Sequence, residues 1–142
     1  MIRIFVDSSV LFAAAYSATG HSRDLILMAA REEITLVISH LVLAETRRNL
    51  FESAPEVLNY LDLVIDNIPF ESIQPTKREV IAASEFVVLK DAPIVAAAKK
   101  AGVKFLVTLD RKHLLGKPKI AQYAGVDIVT PKEAVTVLRK LT

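Results

Sequence analysis

The sequence predicts a three-layer α/β domain, with a parallel sheet of about five strands held between helices. Two observations predict it. Short apolar runs of strand length alternate with longer segments of helical period, and such alternation implies crossover connections and a sheet covered on both faces. The chain also has 142 residues, only 4 Gly, no internal repeat and no low-complexity tract, so one core and a single domain over 1–142 are expected.

The elements follow in order. Ile2, Ile4, Phe5 and Val6 make the first strand, over 2–6. A helix is expected over 22–33, a strand over 35–38 and a helix over 40–53. Pro55 suits a first helical turn, and Val57, Leu58, Leu61, Val64 and Ile65 continue from it as an apolar stripe at helical spacing. Residues 70–73 form a short third strand. The helix over 76–86 starts on Thr76 with Glu79 at the capping-box position. A helix over 92–101 stops at Gly102, which is suited to a left-handed cap. Strands over 104–107 and 127–129 complete the sheet, and a last helix over 131–141 opens on Thr130 with Glu133 at its third position.

Composition excludes several functions. Without cysteine there is no disulfide framework, Cys-ligated zinc, iron–sulfur cluster or thiol nucleophile. The same absence fits a reducing compartment, and the cytoplasm is the expected location. No apolar run reaches the about 18 residues of a membrane span, and Asp7, Ser8 and Ser9 interrupt the apolar N-terminal stretch where a signal peptide would be continuous. Neither Gly-rich nucleotide signature occurs, which removes dinucleotide-binding and P-loop functions.

The net charge of +2 conceals a division. Residues 1–89 carry 7 Lys+Arg against 12 Asp+Glu, whereas residues 90–142 carry 11 against 4. A polyanionic partner meeting one region fits this, as does an unevenly charged solvated exterior. Hydrophobic residues make up 52% of the chain, enough to leave an apolar patch for a second subunit, and a homodimer is expected.

Ligands of open α/β sheets bind beyond the carboxyl ends of the strands, and the residues there are acidic. Asp7 follows the first strand, Asp110 follows the strand over 104–107, Glu45 lies about one and a half turns into the helix after the second strand, and Asp91 opens the helix before residue 104. Each has an ordinary structural reading. Asp7, Asp91 and Asp110 could cap helices or turns, and Glu45 could pair with Arg48. Jointly they repel: two like charges about 4 Å apart cost ~1 kcal/mol in water and several times more in a less polar cleft. A divalent cation removes that cost, and oxygen donors without cysteine point to magnesium or manganese. Ser9 and Thr108 flank the aspartates and could orient them, or could simply serve turns. His21, His40 and His113 read most simply as capping, surface or partly buried residues.

Four stretches carry a resemblance. They are Phe5-Val6-Asp7-Ser8-Ser9, Leu43-Ala44-Glu45-Thr46, Lys90-Asp91-Ala92-Pro93-Ile94-Val95-Ala96-Ala97-Ala98, and Leu106-Val107-Thr108-Leu109-Asp110. In this order they resemble the PIN-domain nucleases, which include the VapC-type toxins of toxin–antitoxin pairs. The resemblance implies a PIN-like α/β/α fold and a metal-dependent endoribonuclease whose acidic cluster is Asp7, Glu45, Asp91 and Asp110. It also implies an inhibitory antitoxin protein. Two departures stand out: Lys112 replaces the further acid that several relatives carry, which argues against a second tightly held metal, and Leu109 replaces a small or polar residue.

In-line hydrolysis of a phosphodiester needs an activated water and neutralised charge on the phosphoryl group. On this reading Asp7, Asp91 and Asp110 hold magnesium or manganese, and Glu45 either joins them or takes a proton from the attacking water. Arg111, Lys112, His113, Lys117 and Lys119 form a basic segment immediately after Asp110, while Lys90, Lys99 and Lys100 lie on or near the Asp91 helix; these residues would grip an RNA backbone. With the four acids set aside the net charge rises from +2 to +6. Two other classes compete. A receiver-type phospho-acceptor domain would need an adjacent acidic pair after the first strand and a lysine after the last, and neither is present. A catalytically silent PIN-like module that binds RNA or protein is the alternative that keeps the fold.

Overall fold

The computed structural model describes residues 1–141. Five parallel strands, β1 (Arg3–Val6), β2 (Thr35–Ser39), β3 (Phe70–Ile73), β4 (Phe105–Val107) and β5 (Asp127–Val129), pair in the order β3-β2-β1-β4-β5. The central strands are apolar on both faces, because a parallel sheet is covered twice: Ile4, Phe5, Val6, Leu36, Val37 and Leu106 are all inaccessible to solvent. The edge strands β3 and β5 keep exposed residues.

Among the described residues, eight α-helices flank the sheet: α1 (Ser8–Tyr16), α2 (His21–Ala30), α3 (His40–Ser53), α4 (Leu58–Asn67), α5 (Lys77–Ala83), α6 (Ala92–Ala101), α7 (Pro118–Ala124) and α8 (Pro131–Leu141). α1 packs on α2, α3 and α4, with α8 joining through α2, while α6 packs between α5 and α7. Between them lies the core, where each fully buried Leu such as Leu36, Leu50 or Leu138 contributes about 1.5–3 kcal/mol.

The caps form as expected. The Thr76 hydroxyl accepts the Glu79 amide at 3.1 Å while the Glu79 carboxylate accepts the Thr76 amide at 2.7 Å. Thr130 and Glu133 repeat the exchange at 3.1 and 3.0 Å. Gly102 ends α6 at φ 64°, a left-handed geometry that spares a Cβ.

Boundaries differ where the chain turns. The helix expected over 22–33 ends at Ala30, and Glu32, at φ 58°, turns the chain into β2. The segment from Pro55 starts as a 3-10 turn over Pro55–Val57 before α4, and the helix on Thr76 stops at Ala83 rather than 86. Two helices lay outside the sequence expectation. α1 is apolar on nearly every side, so it shows no amphipathic period, and α7 has only seven residues inside a basic stretch.

The chain runs outward from β1 through β2 to β3, then returns to place β4 on the other side of β1. This is a topological switch point, and a crevice opens at the carboxyl ends of the two strands. Asp7 leaves β1 there, and Thr108, Leu109 and Asp110 leave β4.

Candidate metal centre

Asp7 is both a cap and a bridge. Its backbone is extended, as an N-cap requires, and Oδ1 accepts the Val10 amide at 3.2 Å and the Ser9 hydroxyl at 2.6 Å. Oδ2 accepts the Thr108 hydroxyl at 2.5 Å. Ser9 Oγ in turn accepts the Leu109 amide at 3.1 Å, and Thr108 Oγ1 accepts the Asp110 amide at 3.0 Å. Two hydroxyls therefore tie the end of β1 to the end of β4, with Asp7 and Thr108 buried between them.

Asp110 closes the turn that follows. Its Oδ1 accepts the amides of Lys112 at 3.0 Å and His113 at 2.9 Å. That turn brings the His113 ring over the acids, with Nδ1 3.4 Å from Asp110 Oδ2 and 3.6 Å from Asp91 Oδ2.

Asp91 overturns its capping reading. It sits at φ −97°, ψ −6° instead of the extended conformation of a capping residue, and its side chain caps nothing. Although the residue is only 6% exposed, Asp91 Oδ2 has no hydrogen-bond partner; it is the one such buried side-chain atom among the described residues. Leaving a buried polar group unmatched costs about 1–3 kcal/mol, and more for a charge. One ligand atom each from Asp91, Asp110 and His113 lie within 4.8 Å of one another.

Glu45 comes from the first half of α3 and is half-buried. Burial raises its pKa, and the charges of Asp7 and Asp91 raise it further, while Arg48 and Lys90 pull it down. Arg48 influences it without forming the ordinary ion pair that their spacing allows. Burial likewise raises Asp91, with Asp110 and Asp7 adding to it against Lys90 and His113. Asp7 is raised by burial, against the hydrogen bonds from Ser9, Thr108 and Val10. The four acids thus feel one another across the crevice, but Asp7 and Glu45 stand outside the tight group of Asp91, Asp110 and His113.

Hard carboxylate donors, one of them buried with an unmatched oxygen, suit a divalent cation, which would neutralise repelling charges and partner that oxygen. Beside Asp7, a cleft of about 410 Å³ is lined by Ser8, Ser9, Phe12, Asn49 and Ser53.

The cations divide. Lys90, Arg111 and Lys112 are exposed next to Asp91 and Asp110; Arg111 also adds slightly to the lowering of the Glu133 carboxyl, which comes chiefly from its hydrogen bonds with Thr130. Lys117 instead lines a separate hollow of about 500 Å³ with Phe105, Asp127 and Glu133. Lys99 and Lys100 sit at the other end of α6, where their amines donate to the carbonyls of Tyr123 at 3.1 Å and Gln74 at 3.0 Å. Lys119, also exposed, belongs to α7. His113, read from the sequence as a capping, surface or partly buried residue, is the one whose place in the cluster was missed; its signal was its position three residues beyond Asp110, within reach of one closed turn.

Comparisons with known proteins fit this geometry. PAE2754 from Pyrobaculum aerophilum superposes with a TM-score of 0.69 at 20% identity, covering 98% of this chain and 90% of that one. VapBC2 from Rickettsia felis, solved bound to a DNA fragment from their promoter, gives 0.64 at 14% identity, with 91% and 98% covered. FitAcB from Neisseria gonorrhoeae gives 0.59 at 15% identity, with 90% and 97% covered. Identities this low establish a shared fold. No curated protein matches the sequence. The family model described as "PIN domain" matches residues 3–112, a span holding Asp7, Glu45, Asp91 and Asp110 and stopping one residue short of His113. With the greater part of its length matched, the chain belongs to the PIN domain family.

Proposed function

We propose that this protein is a metal-dependent endoribonuclease that hydrolyses RNA phosphodiester bonds with magnesium or manganese, as the toxin of a toxin–antitoxin pair. The observation that carries the reading is the buried, unmatched Asp91 Oδ2 facing Asp110 at the switch point of the sheet. A fold that leaves such an oxygen among like charges keeps a place for a cation.

Asp91, Asp110 and Asp7 are the residues to hold the ion, directly or through water. When bound, the ion supplies neutralisation of charge on the phosphoryl group and a water of lowered pKa. Glu45, made more basic by burial and by Asp7 and Asp91, accepts the proton of the attacking water. Ser9 and Thr108 hold Asp7 and the β4 end in place through the bonds described above. Lys90, Arg111 and Lys112, all exposed at the rim, draw in the RNA backbone, and Lys117 would meet it farther along the strand. Such contacts position a substrate without reading its bases.

Partners follow from the same reading. Apolar side chains left exposed, such as Phe51 and Leu63, would be covered by a second copy in a homodimer or by an inhibitory antitoxin. No helix among the described residues is long and apolar enough to cross a membrane, and we place the protein in the cytoplasm with its RNA.

The test is cleavage of end-labelled single-stranded and structured RNA with manganese or magnesium, against chelator, Asp7→Asn and Asp91→Asn. Cleavage that needs metal and both carboxylates is expected. Equal inactivity of wild type and variants, with steeply salt-dependent RNA binding, would replace the nuclease by a silent binding module.

A further inference from the structure

Hydrolysis by a carboxylate cluster does not require His113, yet the fold brings it to the centre. Its Nδ1 stands 3.4 Å from Asp110 Oδ2 and 3.6 Å from Asp91 Oδ2, distances too long for good hydrogen bonds. Two donors that bind one ion at right angles, each at about 2.1 Å from it, lie about 3 Å apart. At a wider angle of about 110° they lie about 3.4 Å apart, so the observed spacing suits ligands around a common centre and is longer than that of a well-formed bonded pair. The ring is steered there by the main chain, since the His113 amide donates to Asp110 Oδ1 at 2.9 Å. The third member, the Asp91 side chain, is only 9% exposed and presents its unpartnered oxygen to the same point.

We propose that His113 Nδ1 is a metal ligand alongside Asp91 and Asp110, and that this nitrogen donor tips the site toward manganese over magnesium. The inference rests on the reading of this cluster as a cation site and adds a ligand to it. Magnesium is a hard ion that keeps oxygen donors and several waters, whereas imidazole gains affinity along the first-row transition series. A nitrogen in the set therefore rewards manganese more than magnesium. It also adds a donor without adding a further negative charge to acids that already repel.

The experiment measures metal binding and ligand identity, not turnover. Manganese and magnesium are titrated calorimetrically into metal-free wild type, His113→Gln and Asp91→Asn, and the manganese-loaded proteins are examined by electron spin echo envelope modulation. Wild type is expected to show nitrogen modulation from a directly bound imidazole. In His113→Gln that modulation disappears, manganese affinity falls by about tenfold or more, and magnesium affinity changes by less than about threefold. The turn is retained in this variant, because its bonds to Asp110 come from main-chain amides. Manganese bound to wild type without nitrogen modulation overturns the inference and leaves the carboxylate site standing. Equal weakening of both ions in His113→Gln overturns the selectivity. Wild type that binds neither ion better than Asp91→Asn removes the cation site and the inference together. Should His113→Gln fail to fold, the wild-type spectrum decides alone.

Discussion

The two ends of β1 treat charge in opposite ways. At its start, Arg3 is fully matched: Nε and Nη2 donate to the two Glu71 oxygens at 2.7 and 2.9 Å, and Nη1 donates to the Ala101 carbonyl at 2.6 Å. At its end, about 13 Å along the strand, Asp7 joins Glu45, Asp91 and Asp110, with one buried oxygen left unmatched. The same four-residue strand therefore begins on a charge that supports the fold and runs into one that opposes it. A matched ion pair needs nothing further, whereas an unmatched acidic cluster is stable only because the rest of the core outweighs it, and it gains when a cation arrives.

The largest effect expected from this contrast is at Asp91. Asp91→Asn should lower metal-dependent RNA cleavage by at least about 100-fold, since the ion loses a charged ligand. The same change should raise the urea midpoint of the metal-free protein, because it deletes a buried charge repelled by its neighbours. A fall in that midpoint would show that Asp91 supports the fold and would erase the distinction between the two ends. Manganese should raise the melting temperature of wild type in proportion to occupancy and leave Asp91→Asn nearly unmoved; chelator should reverse the shift.

Arg3→Ala is the mirror experiment and has a smaller effect. The Arg3–Glu71 pair is partly exposed, so it is worth less than about 1 kcal/mol, and the bond to Ala101 adds a similar amount. A loss of about 1 kcal/mol in denaturant unfolding, with RNA cleavage unchanged, is the expected result. A loss of cleavage instead would mean that the two ends of the strand are coupled.

Much of this was legible in the residues. Alternating apolar runs and the caps at Thr76, Thr130 and Gly102 fixed the sheet and six of its helices, since these signals are local. α1 was harder, because a helix buried on most sides has no polar face to mark its period. The four acids were visible as residues that follow strands, but their relation was not. Whether Asp91 capped α6 depended on its backbone angles, and whether His113 met the acids depended on a turn closed by Asp110. Both are three-dimensional facts set by loop geometry, to which periodicity is blind.

The smallest effect is the pH dependence, and it should have opposite signs at the two ends. For Asp7, Glu45 and Asp91 the folded-state pKa is raised, chiefly by burial, so the folded protein binds protons more readily than the unfolded chain. Their destabilisation is absent below the ordinary carboxylate range and complete above the raised values; metal-free stability from this end therefore rises as the pH falls from neutral. Glu71 is lowered by its bond to Arg3 from an ordinary 4.5, so its contribution is present above that value and is lost as the pH falls through the lowered one. Urea titrations across this range should show the metal-free wild type gaining on mild acidification relative to the Asp7→Asn, Asp91→Asn double variant, and Glu71→Gln abolishing only the loss at stronger acidity. Saturating manganese should erase the first gain while leaving the Glu71 effect in place, because an ion that neutralises the cluster removes the reason for its acids to hold protons.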